Sequence, residues 1–398
     1  MTSAKRWLLP DGVEEILPLE AYKLESLRRE LLDLYESWGY QLVITPLIEF
    51  LDSLLVGSSQ DLDLHTFKIT DQLSGRMMGI RADITPQAAR IDAHCMNREG
   101  PVRLCYADNV LHTKPRGLLT SRVPIRVGAE LYGHAGVECD IELICLMHAT
   151  LQAASIGEVY LVLGHVGIFR ALVQAADIDS ETEAVLFDAV QRKAFDEIDA
   201  VLNSAVTDKS LRQMLMQLTR LSGSEATLQE AEEVFADAPA SVKQELQELL
   251  AIVDGVKQRL PKLELCFDLC ELRGYEYHTG IVFAAYTENY GRAVAKGGRY
   301  DHIGEVFGRS RPASGFDSDL KTLAKLCSKN FQQKSVIIAP GANDDVLLEA
   351  VAELRAKGEV VVTNLGDEQL SAQDLEDMNC DRQLVNNGGT WEVEARKP

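Results

Sequence analysis

Leu24, Leu27, Leu31, Leu34 and Trp38 recur at three- and four-residue steps, with Arg28, Arg29, Glu30 and Glu36 between them. That spacing predicts one amphipathic helix over 19–38, stopped by Gly39. The apolar run over 41–44 reads as a short strand that Pro46 ends. Further strands are predicted over 77–81, 103–105, 125–132 and 159–164, and a helix over 141–154. From 168 to 260 the chain is rich in Ala, Leu, Glu and Gln and poor in Gly, with Pro only at Pro239, which predicts an all-helical insert. Strand character returns over 263–269 and 280–285 and near Ala293, and a helix is expected over 319–329. After Lys334 strands at 335–339, 360–363, 381–385 and 390–394 alternate with helices at 345–357 and 371–378. The elements predict an α+β protein. A core over 1–325 is a mostly antiparallel sheet with flanking helices, interrupted by the 168–260 insert. A small α/β domain over 331–398 follows, near the lower size limit for independent folding.

Composition narrows the classes. The 398 residues hold 40 Lys and Arg against 61 Asp and Glu, a formal net charge of −21. Nucleic-acid binding depends on cations that displace condensed counterions, so no large nucleic-acid surface is expected. The 46% hydrophobic and 25% charged content is that of a globular chain with a real core. No stretch approaches the roughly 18 apolar residues of a membrane span, and the first ten residues lack the apolar region and cleavage site of a signal peptide. The eight cysteines are scattered without a CxxC pair, and several sit in apolar runs. They are expected as reduced small hydrophobes in a cytoplasmic protein, with no metal or cofactor.

Five polar pieces carry candidate chemistry. In Arg81-Ala82-Asp83-Ile84-Thr85-Pro86, alternation on a strand end would put Arg81, Asp83 and Thr85 on one face, where a carboxylate and a hydroxyl hold an ammonium; the alternative is a cap before a helix over 87–96. Over 125–132 a strand puts Arg126 and Glu130 on one face, as binding groups or as a cross-strand ion pair. Glu271 to Gly280 is dense in polar and aromatic groups. There Arg273 could clamp a carboxylate and Tyr277 or His278 could close over a ring, or the segment is an aromatic hairpin. Gly297-Gly298-Arg299-Tyr300-Asp301, with Gly315-Phe316 downstream, permits close backbone approach to a ligand or a tight turn. Gly39-Tyr40 with Thr45-Pro46 and Glu49 gives helix, strand and turn.

In this order the pieces resemble the core of histidyl-tRNA synthetase, a class II synthetase, over roughly residues 7–325. The first helix with Gly39, Pro46 and Glu49 is similar to its dimer-forming motif 1. Arg122 through Gly133 resembles the second half of motif 2. Arg273-Gly274-Tyr275-Glu276-Tyr277 resembles the histidine-specific signature Arg-Gly-Leu-Asp-Tyr-Tyr, and 297–301 the approach to motif 3. The resemblance implies an amino-acid pocket: Asp83, Thr85 and Glu130 for the α-amino group, Arg126 at a Gln position of the family, Arg273 for the carboxylate, and Tyr277 or His278 for the imidazole.

The nucleotide side departs from that pattern. Motif 2 of the synthetases carries Phe-Arg-x-Glu, whose Arg binds the α-phosphate. Here its Arg and Glu positions hold His112 and Lys114 in one register and Leu111 and Thr113 in the other. The motif 3 Arg is missing from Asp319-Leu320-Lys321-Thr322, where Thr322 stands in its place. Phosphoryl chemistry rests on positioning and cationic charge stabilisation, so losing both arginines removes adenylate formation. Residues 331–398 hold 6 basic and 13 acidic residues, net −7, a poor match to RNA. This combination resembles the regulatory subunits of ATP phosphoribosyltransferase, synthetase paralogues of histidine biosynthesis. The resemblance implies a dimer through the motif 1 segment, a hetero-octamer with a short catalytic subunit, and L-histidine as effector. An active synthetase, a sensor for another partner and a scaffold without a ligand site remain alternatives.

Overall fold

The computed structural model describes residues 7–55, 60–115, 117, 120–272, 274–288, 290–341, 344–366 and 370–396. The chain forms two compact units, Met1–Lys329 and Asn330–Pro398. The first begins with α1 (Pro18–Ser37), β1 (Gln41–Leu42), β2 (Ile48–Phe50), α2 (Leu51–Leu54), α3 (Gln60–His65), β3 (Phe67–Thr70) and β4 (Met77–Ile80). It continues with α4 (Thr85–Arg90), a π-helical turn (Ile91–Met96), β5 (Val102–Asn109), β6 (Ile125–Tyr132), α5 (Glu138–Ala153) and β7 (Val159–His165). The insert follows as α6 (Val166–Ala175), α7 (Ser180–Gln191), α8 (Phe195–Ala205), α9 (Lys209–Leu218), β8 (Ser222–Gly223), α10 (Ala226–Val234) and α11 (Ala240–Arg259). The unit closes with β9 (Glu264–Asp268), β10 (Ile281–Thr287), β11 (Tyr290–Arg299), β12 (Ala313–Asp319) and α12 (Leu320–Leu326).

A nine-stranded sheet in the order β1-β5-β6-β12-β11-β10-β7-β9-β8 organises this unit. The six strands from β5 to β7 are antiparallel throughout, with β1 added in parallel at one edge and β9 at the other. α1 buries Leu24, Leu27, Leu31 and Tyr35, each contributing about 1.5–3 kcal/mol relative to exposure. The buried stripe ends on Tyr35, leaving Leu34 and Trp38 half-buried.

Several sequence expectations shift. The 77–81 strand stands outside the large sheet, in a separate three-stranded sheet β2-β4-β3. Its partners β2 and β3 are three and four residues long, too short for an alternation signal. The insert is not purely helical, because β8 pairs with β9. The Gly297-Gly298 pair forms neither a loop nor a turn; both glycines lie inside β11, paired with Phe316 and Gly315 of β12.

The second unit contains β13 (Val336–Ala339), α13 (Asp345–Ala356), β14 (Val360–Thr363), α14 (Ala372–Asp377), β15 (Cys380–Asn387) and β16 (Thr390–Ala395), with sheet order β14-β13-β15-β16. Ile337, Ala339, Leu347, Val351, Val361 and Leu384 form its core. All eight cysteines are free thiols. Among the described residues no helix is long and apolar enough to cross a membrane.

Candidate functional site

Directly opposed residues on paired strands point to the same face of a sheet. The rung Leu104–Glu130–Gly315–Gly298–Val282–Gly164 therefore lines one face, and Tyr106, Gly128 and Asp317, two residues along, line it too. The next rung, Leu131–Ser314–Arg299, points the other way, toward α5. There Arg299 and Ser314 both donate to the buried Asp140 carboxylate and fasten α5 to the sheet.

Glu130 is the centre of the first face and is 1% exposed. Thr85 Oγ1 donates to its Oε1 at 2.7 Å, Tyr106 donates to the same oxygen at 3.0 Å, and the Tyr300 hydroxyl donates to Oε2. Burial pushes the carboxyl up to about 8; the Tyr300, Thr85 and Tyr106 hydroxyls pull the other way, and the nearby Asp83 charge adds to the rise. A carboxylate with roughly four lone-pair sites and three donors keeps room for one more. The glycines opposite make the space. A Cβ on Gly315 would overlap Glu130 Oε2, and one on Gly298 would approach His278 Nδ1 at 2.8 Å.

Asp83 and Thr85 reach this face through a turn before a helix, not by alternation on a strand end. β4 ends at Ile80, so Arg81, Asp83 and Thr85 do not alternate on a strand. Asp83 Oδ1 instead accepts the Thr85 backbone N–H at 3.0 Å as α4 begins, and the Thr85 hydroxyl is thereby presented to Glu130. Arg81 turns away. It is 1% exposed, donates to Asn109 O (2.7 Å), Thr45 O (2.7 Å) and Thr45 Oγ1 (2.6 Å), and pairs with Asp108 at 2.8 Å. That makes Arg81 a structural cross-brace. The helix expected over 87–96 starts at Thr85, and its last part is the π-helical turn.

The segment from Gly274 to Gly280 is a series of turns rather than a hairpin. Tyr277 stacks on Tyr300 with ring centroids 5.0 Å apart, and its own hydroxyl is buried without a hydrogen-bond partner among the described residues. Such an orphan is rare in a folded protein and marks a place where a ligand or water completes the set. The His278 ring meets Tyr277 edge-on at 5.2 Å and places Nδ1 3.3 Å from Arg299 O. Burial pushes its pKa down to about 4, against the Arg299 carbonyl, so the ring is neutral near pH 7. Arg273 lies outside the described residues.

Farther along the same strands the chemistry changes. Arg126 pairs with Asp317 at 3.5 Å and is placed directly opposite Asp319. Burial works against its charge, while Asp317, Asp83 and Asp319 together hold it on, so that its pKa is raised. One guanidinium among three carboxylates is poorly suited to a polyphosphate. At the motif 2 positions, Leu111 is half-buried and Lys114 exposed. His112 is buried, with Nε2 3.0 Å from Ala82 O. Thr322 donates to Asp319 Oδ2 at 3.1 Å as part of the cap of α12.

Asp83, Thr85, Arg126, Glu130 and Tyr277 thus converge on one face, with His278 packed behind Tyr277. The residues missed by sequence reasoning are Tyr106 and Tyr300, which supply two of the three hydroxyls on Glu130. A signal existed for Tyr106: it stands opposite Gly128, a pairing that frees space for its ring.

Six antiparallel strands carrying a buried polar cluster are the core of a class II synthetase-type fold. Residues 12–323 match the histidyl-tRNA synthetase family, and residues 334–394 match the ATP phosphoribosyltransferase subunit HisZ C-terminal domain. The ATP phosphoribosyltransferase regulatory subunits of Stutzerimonas stutzeri and Chromohalobacter salexigens are each 52% identical over 394 residues, covering 99% of this chain and 99% of theirs. Among solved structures, an ATP phosphoribosyltransferase regulatory subunit/histidyl-tRNA synthetase from Bacillus halodurans superposes with a TM-score of 0.81 at 25% identity, covering 95% of this chain and 98% of that one. A histidyl-tRNA synthetase from Nostoc sp. gives 0.74 at 20% identity, covering 95% and 91%. The chain belongs to the ATP phosphoribosyltransferase regulatory subunit family.

Proposed function

We propose that the chain is a non-catalytic subunit that binds L-histidine and assembles with a short-form ATP phosphoribosyltransferase catalytic subunit, conferring activation and histidine feedback on the first step of histidine biosynthesis. The observation that carries this reading is the contrast on one sheet face. A buried carboxylate with three hydroxyl donors and an orphaned tyrosine stand beside a guanidinium surrounded by carboxylates.

In this reading Asp83, Thr85 and Glu130 hold the ammonium group, and Arg273 holds the carboxylate, a role supported by the signature it heads. Tyr277 and the neutral His278 close over the imidazole, and Arg126 borders the carboxylate side. The motif 1 segment forms a homodimer, supported by exposed Leu42, Ile44 and Leu47 next to β1. Equal numbers of the two subunits form a hetero-octamer in the cytoplasm. Feedback requires histidine to prefer the less active complex, and a coupling of about 1–3 kcal/mol gives roughly 5–150-fold differential affinity between states.

The test is reconstitution with a purified short-form catalytic subunit. The two should co-elute, turnover should rise on mixing, and L-histidine should suppress turnover of the complex. Separate elution with no change in turnover would sink the proposal.

A further inference from the structure

The turn that carries Tyr277 also carries Tyr275, and the two tyrosines serve different parts of the molecule. Tyr277 stacks on Tyr300, which donates to Glu130. Tyr275 is plugged into the helical insert. Its ring lies edge-on to Phe169 of α6 at 5.4 Å and stacks on Phe187 of α7 at 5.3 Å, and its hydroxyl donates to Glu183 Oε1 of α7 at 2.6 Å. Arg170 of α6 closes the socket. Its guanidinium lies 4.7 Å from the Tyr275 ring centroid, and Nη2 donates to Tyr275 O at 2.9 Å and His278 O at 3.1 Å.

The turn itself is tight. Tyr277 N–H and His278 N–H both donate to Gly274 O, at 2.8 and 2.7 Å, and Gly274 takes a φ of +71°. With so few residues and two internal hydrogen bonds, Tyr277 has little freedom to shift unless Tyr275 shifts in its socket.

We propose that α6 and α7 of the insert set the position of the 274–278 turn, with Tyr275 as the pin and Arg170 and Glu183 as its positioning residues, so that the insert and the amino-acid site are energetically coupled. This deepens the histidine-binding reading above and rests on it. Coupling is reciprocal: if the socket sets ligand affinity, the ligand must stabilise the socket. The insert then reports site occupancy to whatever surface it meets.

The experiment is calorimetric titration of the full-length chain with L-histidine, paired with backbone hydrogen exchange of α7 with and without the ligand. The variants are Tyr275→Phe and Glu183→Gln, neither of which empties the socket; Glu183→Gln sits on the half-exposed side and keeps its shape. Tyr275→Phe, which removes the donor, should bind about tenfold more weakly, the worth of one charge-assisted hydrogen bond, and Glu183→Gln, which keeps an acceptor and loses only the charge, about threefold more weakly. In the unmodified chain histidine should increase protection of α7, and in the variants at saturating histidine that gain should be reduced. Wild-type affinity in both variants overturns the proposal, as does a histidine-bound wild-type chain with unchanged α7 protection. If the wild-type chain itself gives no heat with L-histidine, the failure belongs to the histidine-binding reading.

Discussion

Two patches on one sheet face, built largely from β5, β6 and β12, differ in how their charges are used. Around Glu130 the protein supplies three hydroxyl donors, and the Tyr277 hydroxyl has no partner among the described residues. Around Arg126 it surrounds the guanidinium with Asp317, Asp319 and Asp83. The first patch is organised around a carboxyl that keeps room for a further donor. The second has already neutralised its own cation. Under the proposed function, a scaffold discards a reaction and keeps a recognition site by changing side chains a few residues apart on the same strands.

The contrast can be broken most severely from the amino-acid side. Arg273→Ala is expected to weaken L-histidine binding by about a hundredfold or more, since it strands a ligand carboxylate without its charged partner. Calorimetry on a variant with unchanged circular dichroism checks this. Gly315→Ala is expected to act almost as strongly, because the added methyl overlaps Glu130 Oε2 and lies 2.7 Å from the Tyr300 hydroxyl. It should cost about 1–3 kcal/mol in a denaturant melt as well as weaken the ligand.

The pH dependence sharpens the comparison next. Glu130 titrates near 8 in the folded chain against an ordinary 4.5. The folded state thus holds that proton more tightly than the unfolded chain. Its stabilising contribution is complete below about pH 4.5 and is lost as pH rises through about 8. An ammonium group favours the ionised form, so histidine affinity should move the opposite way, rising between about pH 6 and 8 by roughly tenfold. Titrations in buffers of different ionisation enthalpy should show proton release on binding. The smallest effect is expected from Tyr277→Phe, which removes a hydroxyl that has no partner among the described residues. Histidine affinity should fall about three- to tenfold, with thermal stability unchanged or slightly raised.

Sequence reading reached most of the fold because its long elements have strong periods. α1, β6 and the insert helices are long enough for alternation or three-four spacing to speak. It failed where the local signal was shorter than the period. β2 and β3 are brief, and the 77–81 segment was legible as a strand but not as a member of a separate sheet, which only long-range pairing decides. The site was legible as residue types. Asp83, Thr85, Arg126, Glu130 and Tyr277 do meet on one face, yet of the two readings of Arg81, Asp83 and Thr85 strand alternation fails, because the chain leaves β4 and enters α4 between them, and the turn before a helix stands. Gly297 and Gly298 read as close backbone approach to a ligand or as a tight turn. Inside a strand, Gly298 and Gly315 instead yield room to the side chains of His278 and Glu130. Tyr106, inside β5, looks like core, and Tyr300, just past the end of β11, has no role of its own within the glycine motif, until the acceptor of both hydroxyls, the buried Glu130 carboxylate, is known.

The central claim is that the amino-acid site survives while the nucleotide site does not. Its most direct test is a pair of calorimetric titrations on the full-length chain, one with L-histidine and one with magnesium ATP, each repeated with the other ligand present. The account predicts saturable heat with L-histidine and none with ATP, whether or not histidine is bound. Saturable ATP binding strengthened by histidine, or ATP binding without any histidine response, would contradict it.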